Sequence, residues 1–162
     1  MSTKQKEDDM VNLNEVIPDF NTKATSDTEL NQLSLKGHKT IIYFYPKDNT
    51  PGCTTEGQEF RDSIEDFKNT NTVIYGVSRD SMKTHENFKA KQAFPFELIS
   101  DPEETFCKLF DVIKLKKLYG KEYLGIDRST FLIDENGVLQ KEWRSVKVKG
   151  HVSEVLSACQ EL

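Results

Sequence analysis

Apolar residues gather into short runs separated by polar turns, and their spacing predicts most of the elements. Thr40-Ile41-Ile42-Tyr43-Phe44-Tyr45 is β-branched and aromatic throughout and is closed by Pro46, which predicts a buried central strand. Phe60, Ile64 and Phe67 follow at i, i+4 and i+7, the single apolar stripe of an amphipathic helix. Thr72–Ser78 reads as a second buried strand, and Asp80 or Ser81 as the cap of a helix running to about Gln92. Phe96–Ile99 predicts a short third strand. Asp101-Pro102-Glu103-Glu104 then places proline and acids in the first turn of another helix, whose apolar face is Phe106, Leu109 and Phe110. Residues 113–127 read as irregular. Asp134-Glu135-Asn136-Gly137 separates two strand-like runs, 130–133 and 138–143, with the Asn-Gly signal of a hairpin, and a last helix starts near His151.

Strand, helix, strand, helix, strand, helix, hairpin, helix is the order of one α/β domain. Its early strands are joined by right-handed crossovers and its late pair is antiparallel. The expected architecture is thioredoxin-like, a central mixed sheet flanked by helices, over residues 11–162, with residues 1–10 as a loose polar tail. Chemistry in an open α/β sheet sits beyond the carboxyl ends of strands, near a helix start. Cys53 occupies such a place, after the strand at 40–45.

Composition narrows the function. The chain has 162 residues, 36% hydrophobic and 30% charged, with a formal charge of −5. An acidic balance argues against nucleic acid as a partner, since phosphate binding relies on a basic surface. The short basic run Lys114-Leu115-Lys116-Lys117 reads as a solvated loop. The first sixteen residues lack an apolar stretch of signal-peptide length, and Ile41–Tyr45 is too short to span a bilayer, so a soluble cytoplasmic protein is expected. Three cysteines, Cys53, Cys107 and Cys159, make a poor disulfide framework and suit a reducing compartment. No Cys–His cluster has zinc spacing, no metal or other cofactor is implied, and His38, His85 and His151 are expected at the surface.

The thiolate is the reactive form of cysteine, and a helix N-terminus presents free N–H groups and a partial positive charge that favour an anion. That singles out Cys53 over Cys107 and Cys159, which fall within apolar-patterned helices where cysteine behaves as a small hydrophobe. Position alone leaves Cys53 open between a reactive thiol and another packing residue. Thr50, three residues earlier, could turn its hydroxyl over the sulfur, accepting one hydrogen bond and donating another. Pro46, seven residues earlier, has no N–H and fixes the turn; the same residues are also compatible with ordinary turn chemistry.

Tyr45-Pro46-Lys47-Asp48-Asn49-Thr50-Pro51-Gly52-Cys53-Thr54-Thr55-Glu56 resembles the active-site loop of peroxiredoxins, and this version resembles the bacterioferritin comigratory protein, or peroxiredoxin Q, group. Pro18-Asp19-Phe20, Gly76–Ser81, Leu98–Asp101 and Gly125–Asp134 match the same pattern in order, so the likeness covers most of the chain. The resemblance implies a thiol peroxidase that reduces hydrogen peroxide or organic hydroperoxides. Cys53 would be the peroxidatic residue, with Pro46, Thr50 and Arg128 completing the site. Its sulfenic acid would then be reduced by a second thiol before irreversible oxidation. The group often works as monomers, so a monomer is expected ahead of a dimer.

Many members of the group carry the second thiol five residues after the first, where this chain has Gln58. Gly57 beside it is a weak helix residue, by about 1 kcal/mol relative to alanine, which suggests an easily unwound first turn. Cys107 after local unfolding, Cys159 in cis or across a dimer, and an external thiol (glutathione, glutaredoxin or thioredoxin) stay open, the external thiol being preferred. A peroxide sensor or thiol relay to a partner protein is the alternative function. A non-catalytic thioredoxin-like binding module is a third, disfavoured by the intact set Pro46, Thr50, Cys53 and Arg128.

Overall fold

The structure is a computed structural model that describes residues 10–162; the expected tail, apart from Met10, lies outside the described residues. Nine strands are present among them: β1 Asn21–Ala24, β2 Thr28–Asn31, β3 Lys39–Phe44, β4 Thr72–Ser78, β5 Glu97–Ser100, β6 Ile113–Leu118, β7 Lys121–Ile126, β8 Ser129–Ile133 and β9 Leu139–Trp143. The helices are α1 Pro51–Asp62, α2 Ile64–Lys68, α3 Met82–Gln92, α4 Thr105–Leu109 and α5 His151–Glu161, with a 3-10 turn at Gln32–Leu35. Seven strands form one sheet in the order β2-β1-β5-β4-β3-β8-β9, while β6 and β7 pair only with each other. β3, β4 and β5 run parallel; the remaining pairs are antiparallel, so the sheet is mixed.

Every residue of β3 is buried, because both faces of the sheet are covered. Side chains alternate along a strand, so Ile42 and Phe44 enter one core and Ile41 and Tyr43 the other. The first core adds Ile17, Leu30, Leu35 and, from α4, Phe106 and Cys107. The second is roofed by α1, α2, α3 and α5 through Phe60, Phe67, Phe88 and Val155, and it holds Cys53 and Cys159.

The predicted strands at 40–45, 72–78 and 96–99, the helix capped by Ser81, the late hairpin and the last helix are all present, within a residue or two. Ser81 Oγ accepts from Thr84 N at 3.2 Å, as a cap should. Four expectations need correction. The stripe Phe60, Ile64, Phe67 spans two helices broken at Ser63, not one. Asp101–Glu104 is a tight turn rather than the first helical turn. Glu104 is left-handed (φ 67), and Asp101 caps from before the helix by accepting from Phe106 N at 3.1 Å and Cys107 N at 2.7 Å. Residues 113–126 are not irregular: β6 and β7 form a hairpin turning at Tyr119 and Gly120, both with positive φ (51 and 78), the twist of a two-residue hairpin turn. His85 and His151 are buried, held inside the fold by Asp48 and Thr130, while His38 is half-buried with an Nε2 that has no hydrogen-bond partner. The β1–β2 hairpin carried no prediction; its short strands mix charged and apolar residues without a clean alternation.

Candidate active site

The chain leaves the carboxyl end of β3 through Pro46, turns at Asn49 (φ 65), and enters α1 at Pro51. Proline suits this first helical position because it has no N–H to leave unpaired. Cys53 is thereby set in the first turn, whose N–H groups have no intrahelical acceptors. Its side chain is only 2% exposed, in the second core.

Arg128 follows β7 and precedes β8, the strand beside β3, and this places it at the same end of the sheet. Its Nη2 donates to Cys53 Sγ at 3.4 Å and its Nη1 to Glu56 Oε1 at 2.6 Å. The arginine expected from the resemblance therefore contacts the sulfur directly, across 75 positions in sequence. Thr50 is the N-cap of α1; its hydroxyl donates to Lys47 O at 2.7 Å, which leaves its lone pairs free to accept from an incoming O–H. Pro46 lies half-buried at the start of the loop.

Glu56 carries more of the electrostatics than its place in the sequence suggested. It is fully buried one turn from Cys53; Oε1 meets Arg128, and Oε2 has no hydrogen-bond partner. Burial pushes its carboxyl up to about 7, against the downward pull of Arg128. Burial opposes the charge on Arg128, but Glu56 and Cys53 outweigh it and hold the guanidinium proton more tightly than usual. Arg128 therefore stays cationic, while the acid beside it ionises only above about pH 7. The i, i+3 spacing from Cys53 was the signal available for Glu56.

Beneath the loop lies a second polar cluster that periodicity did not reveal. Tyr45 Oη donates to Asp48 Oδ1 at 2.6 Å, and Asp48 Oδ2 lies 2.6 Å from His85 Nδ1. His85 Nε2 sits 2.9 Å from Ile99 O, a carbonyl that can only accept, so Nε2 carries a hydrogen. Asp80 Oδ2 accepts from Asp48 N at 2.9 Å. Ligand atoms of Asp48, Asp80 and His85 lie within 4.8 Å of one another. A cation would have to displace the Asp48–His85 contact, so the cluster reads as a clasp tying the loop to α3.

The other cysteines are placed apart from Cys53. Cys107 is in the first core, on the opposite face of the sheet; burial, then the Asp101 carboxylate, pushes its thiol well above the ordinary range. Cys159 shares the Cys53 face but sits at the other end, where Lys39, the first residue of β3, donates from Nζ to Cys159 O at 3.0 Å. Burial raises its thiol too, partly offset by Thr72, which starts β4. All three cysteines are free and buried. Gln58 Nε2 donates to Gln92 Oε1 at 2.9 Å, bridging α1 and α3. Gly57 proves to be a packing requirement: a Cβ there would run into the ring of Phe94, with Cε1 at 2.9 Å.

A sulfur at a helix start beyond a parallel strand, touched by a half-buried arginine, fits a thiol peroxidase, and this chain belongs to the AhpC/TSA family: residues 13–142 match that family. Within it the chain falls in the peroxiredoxin Q, or bacterioferritin comigratory protein, group. It is 49% identical to peroxiredoxin Bcp of Bacillus subtilis (strain 168) over 152 residues, 94% of this chain and 97% of the relative. Against peroxiredoxin Bcp of Xanthomonas campestris pv. campestris the identity is 56% over 122 residues, 75% of this chain and 76% of the relative. A solved structure of the Xanthomonas campestris bacterioferritin comigratory protein, concerned with its alkyl peroxide reduction activity, superposes with a TM-score of 0.83. It is 48% identical, over 88% of this chain and 90% of that one. No helix among the described residues is long and apolar enough to cross a membrane.

Proposed function

We propose that this chain reduces hydrogen peroxide and organic hydroperoxides through a sulfenic acid on Cys53 and is recycled by an external thiol. The observation that carries this reading is the 3.4 Å contact between Arg128 Nη2 and Cys53 Sγ at the start of α1. The Cys53 thiolate attacks the terminal peroxide oxygen. An S–O bond forms, the O–O bond breaks, and the leaving oxygen takes a proton to depart as water or alcohol. Arg128 and the first-turn N–H groups of α1 stabilise the charge developing on that oxygen, Thr50 orients the hydroperoxide by accepting its O–H, and Pro46 keeps bulk water from the sulfur. The alkyl peroxide activity of the Xanthomonas campestris relative supports the organic substrate class.

The external thiol is favoured because Gln58 stands where a helix partner would be, Cys107 lies across the sheet, and Cys159 lies at its far end. One thiol of the reductant attacks the sulfenic sulfur and expels water; a second releases Cys53 and leaves as a disulfide. A single domain over 11–162, acting as a cytoplasmic monomer, completes the proposal. Oxidising the pure protein with one equivalent of peroxide and mapping it by mass spectrometry tests it. The expected product is a Cys53 sulfenic acid, or an adduct with added thiol. A Cys53–Cys107 or Cys53–Cys159 disulfide as the main product refutes external recycling. A sensor or relay is the second reading, favoured by the Gln58 position because an unresolved sulfenic acid persists; slow steady-state turnover with every reductant would select it.

A further inference from the structure

The β6–β7 hairpin reaches the first core only at its base, through Ile113 and Ile126, and its remaining residues stand outside both cores. It exposes Leu115 (59%), Tyr119 (96%) and Leu124 (62%) among Lys114, Lys116, Lys117 and Lys121, with Glu122 as its one acid, on a chain whose net charge is −5. The pairs Lys114–Asp111 (3.0 Å) and Lys117–Glu122 (3.4 Å) are solvent-exposed, so they hold the ammonium groups weakly. The hairpin is rooted at the active site. β7 ends two residues before Arg128, Asp127 N closes the base on Val112 O at 2.7 Å, and Arg79 Nη1 braces Leu124 O at 3.3 Å. Lys116 is half-buried there: burial lowers its pKa, and the charges of Asp127, Arg128 and Cys53 all act on it.

We infer that this hairpin is the docking surface for an acidic, thiol-bearing reductant protein that presents its thiol to oxidised Cys53. The inference rests on the external-thiol reading. Basic side chains interleaved with exposed apolar ones suit an acidic protein with an apolar surface around its thiol, and charge complementarity speeds such encounters. A small thiol needs no such surface. An anionic bilayer would suit the charge, but it supplies no thiol to a sulfur that this chain's own cysteines do not approach. The partner's thiol attacks the sulfenic sulfur, an S–S bond forms, and water leaves. The partner's second thiol then attacks its own half of the mixed disulfide and releases the Cys53 thiol, so the dithiol is oxidised and the sulfenic acid reduced. Attack on a sulfur only 2% exposed requires the first turn of α1 to open.

The test combines Lys114→Glu, Lys117→Glu and Lys121→Glu, with Leu115→Ser/Leu124→Ser as an independent variant. Three rates are measured on each: Cys53 oxidation by hydrogen peroxide, recycling by a reduced acidic thioredoxin as the protein probe, and recycling by dithiothreitol. At low ionic strength the thioredoxin rate should fall about tenfold or more in the charge variant, within the range of electrostatic steering. Salt should slow the wild type and narrow the gap, while the other two rates hold. An unchanged thioredoxin rate overturns the inference, as does an equal loss with dithiothreitol. Loss of binding to anionic vesicles, or a changed oligomeric state, with the thioredoxin rate intact overturns it in favour of a membrane or a second copy. If dithiothreitol and thioredoxin both fail to recycle the wild type, the external-thiol reading itself falls; if only thioredoxin fails, the docking inference alone does.

Discussion

Replacing Glu56 with glutamine should flatten part of the pH dependence of stability. In the folded chain the Glu56 carboxyl is raised from 4.5 to about 7, so the native state favours its neutral form. Each pH unit of such a move corresponds to about 1.4 kcal/mol, which sets the full effect at about 3 kcal/mol. The sign follows from proton counting. Between pH 4.5 and 7 the folded state binds more protons at this site than the unfolded chain, so stability falls as pH rises. The contribution is fully present below pH 4.5 and gone above pH 7. Glutamine keeps the volume and an oxygen for Arg128 but cannot ionise; its amide takes the place of the unpartnered Oε2, at a cost of about 1–3 kcal/mol for an unsatisfied buried donor. Glu56→Gln should thus be less stable than wild type at pH 5, and the difference should shrink or reverse by about 2–3 kcal/mol by pH 8. Urea denaturation from pH 5 to 8 checks it. Parallel stability curves for the two proteins would show that Glu56 is already ionised across this range, and that burial does not hold it neutral.

Two further perturbations probe the surroundings. Gly57→Ala gains about 1 kcal/mol of helix propensity but forces a methyl into Phe94, which is fixed by stacking on Phe96 at 5.0 Å; net destabilisation of about 1–2 kcal/mol is expected by thermal melting, relieved by adding Phe94→Leu. Asp48→Asn breaks the buried contact with His85, and a loss of about 3 kcal/mol in urea denaturation is expected, with slower peroxide reduction as the Pro46–Thr50 loop loosens. A change under about 0.5 kcal/mol would mean that the clasp carries no net stabilisation, the range of an ordinary surface substitution.

Local signals in the sequence were enough for the main elements and singled out Cys53 as the candidate nucleophile, without deciding between reaction and packing. Dense β-branched and aromatic runs wrote β3 and β4, Pro51 and the turn before it marked the start of α1, and Asn136-Gly137 marked the late hairpin. These depend on residues a few positions apart, where sterics and hydrogen-bonding propensity act without the rest of the chain. The β6–β7 hairpin escaped because lysines blur its alternation and only its base, at Ile113 and Ile126, meets a core. Arg128 was named from likeness alone, since no rule of spacing joins it to Cys53. What tertiary structure decided is everything that depends on which residues meet. It brought Arg128 to the sulfur, left Glu56 with an unpartnered oxygen, and closed His85 onto Asp48. It also placed Cys107 across the sheet from Cys53 and Cys159 at the far end of the face they share. The pairing of strands distant in sequence sets those distances, and burial then sets the charge each group can bear.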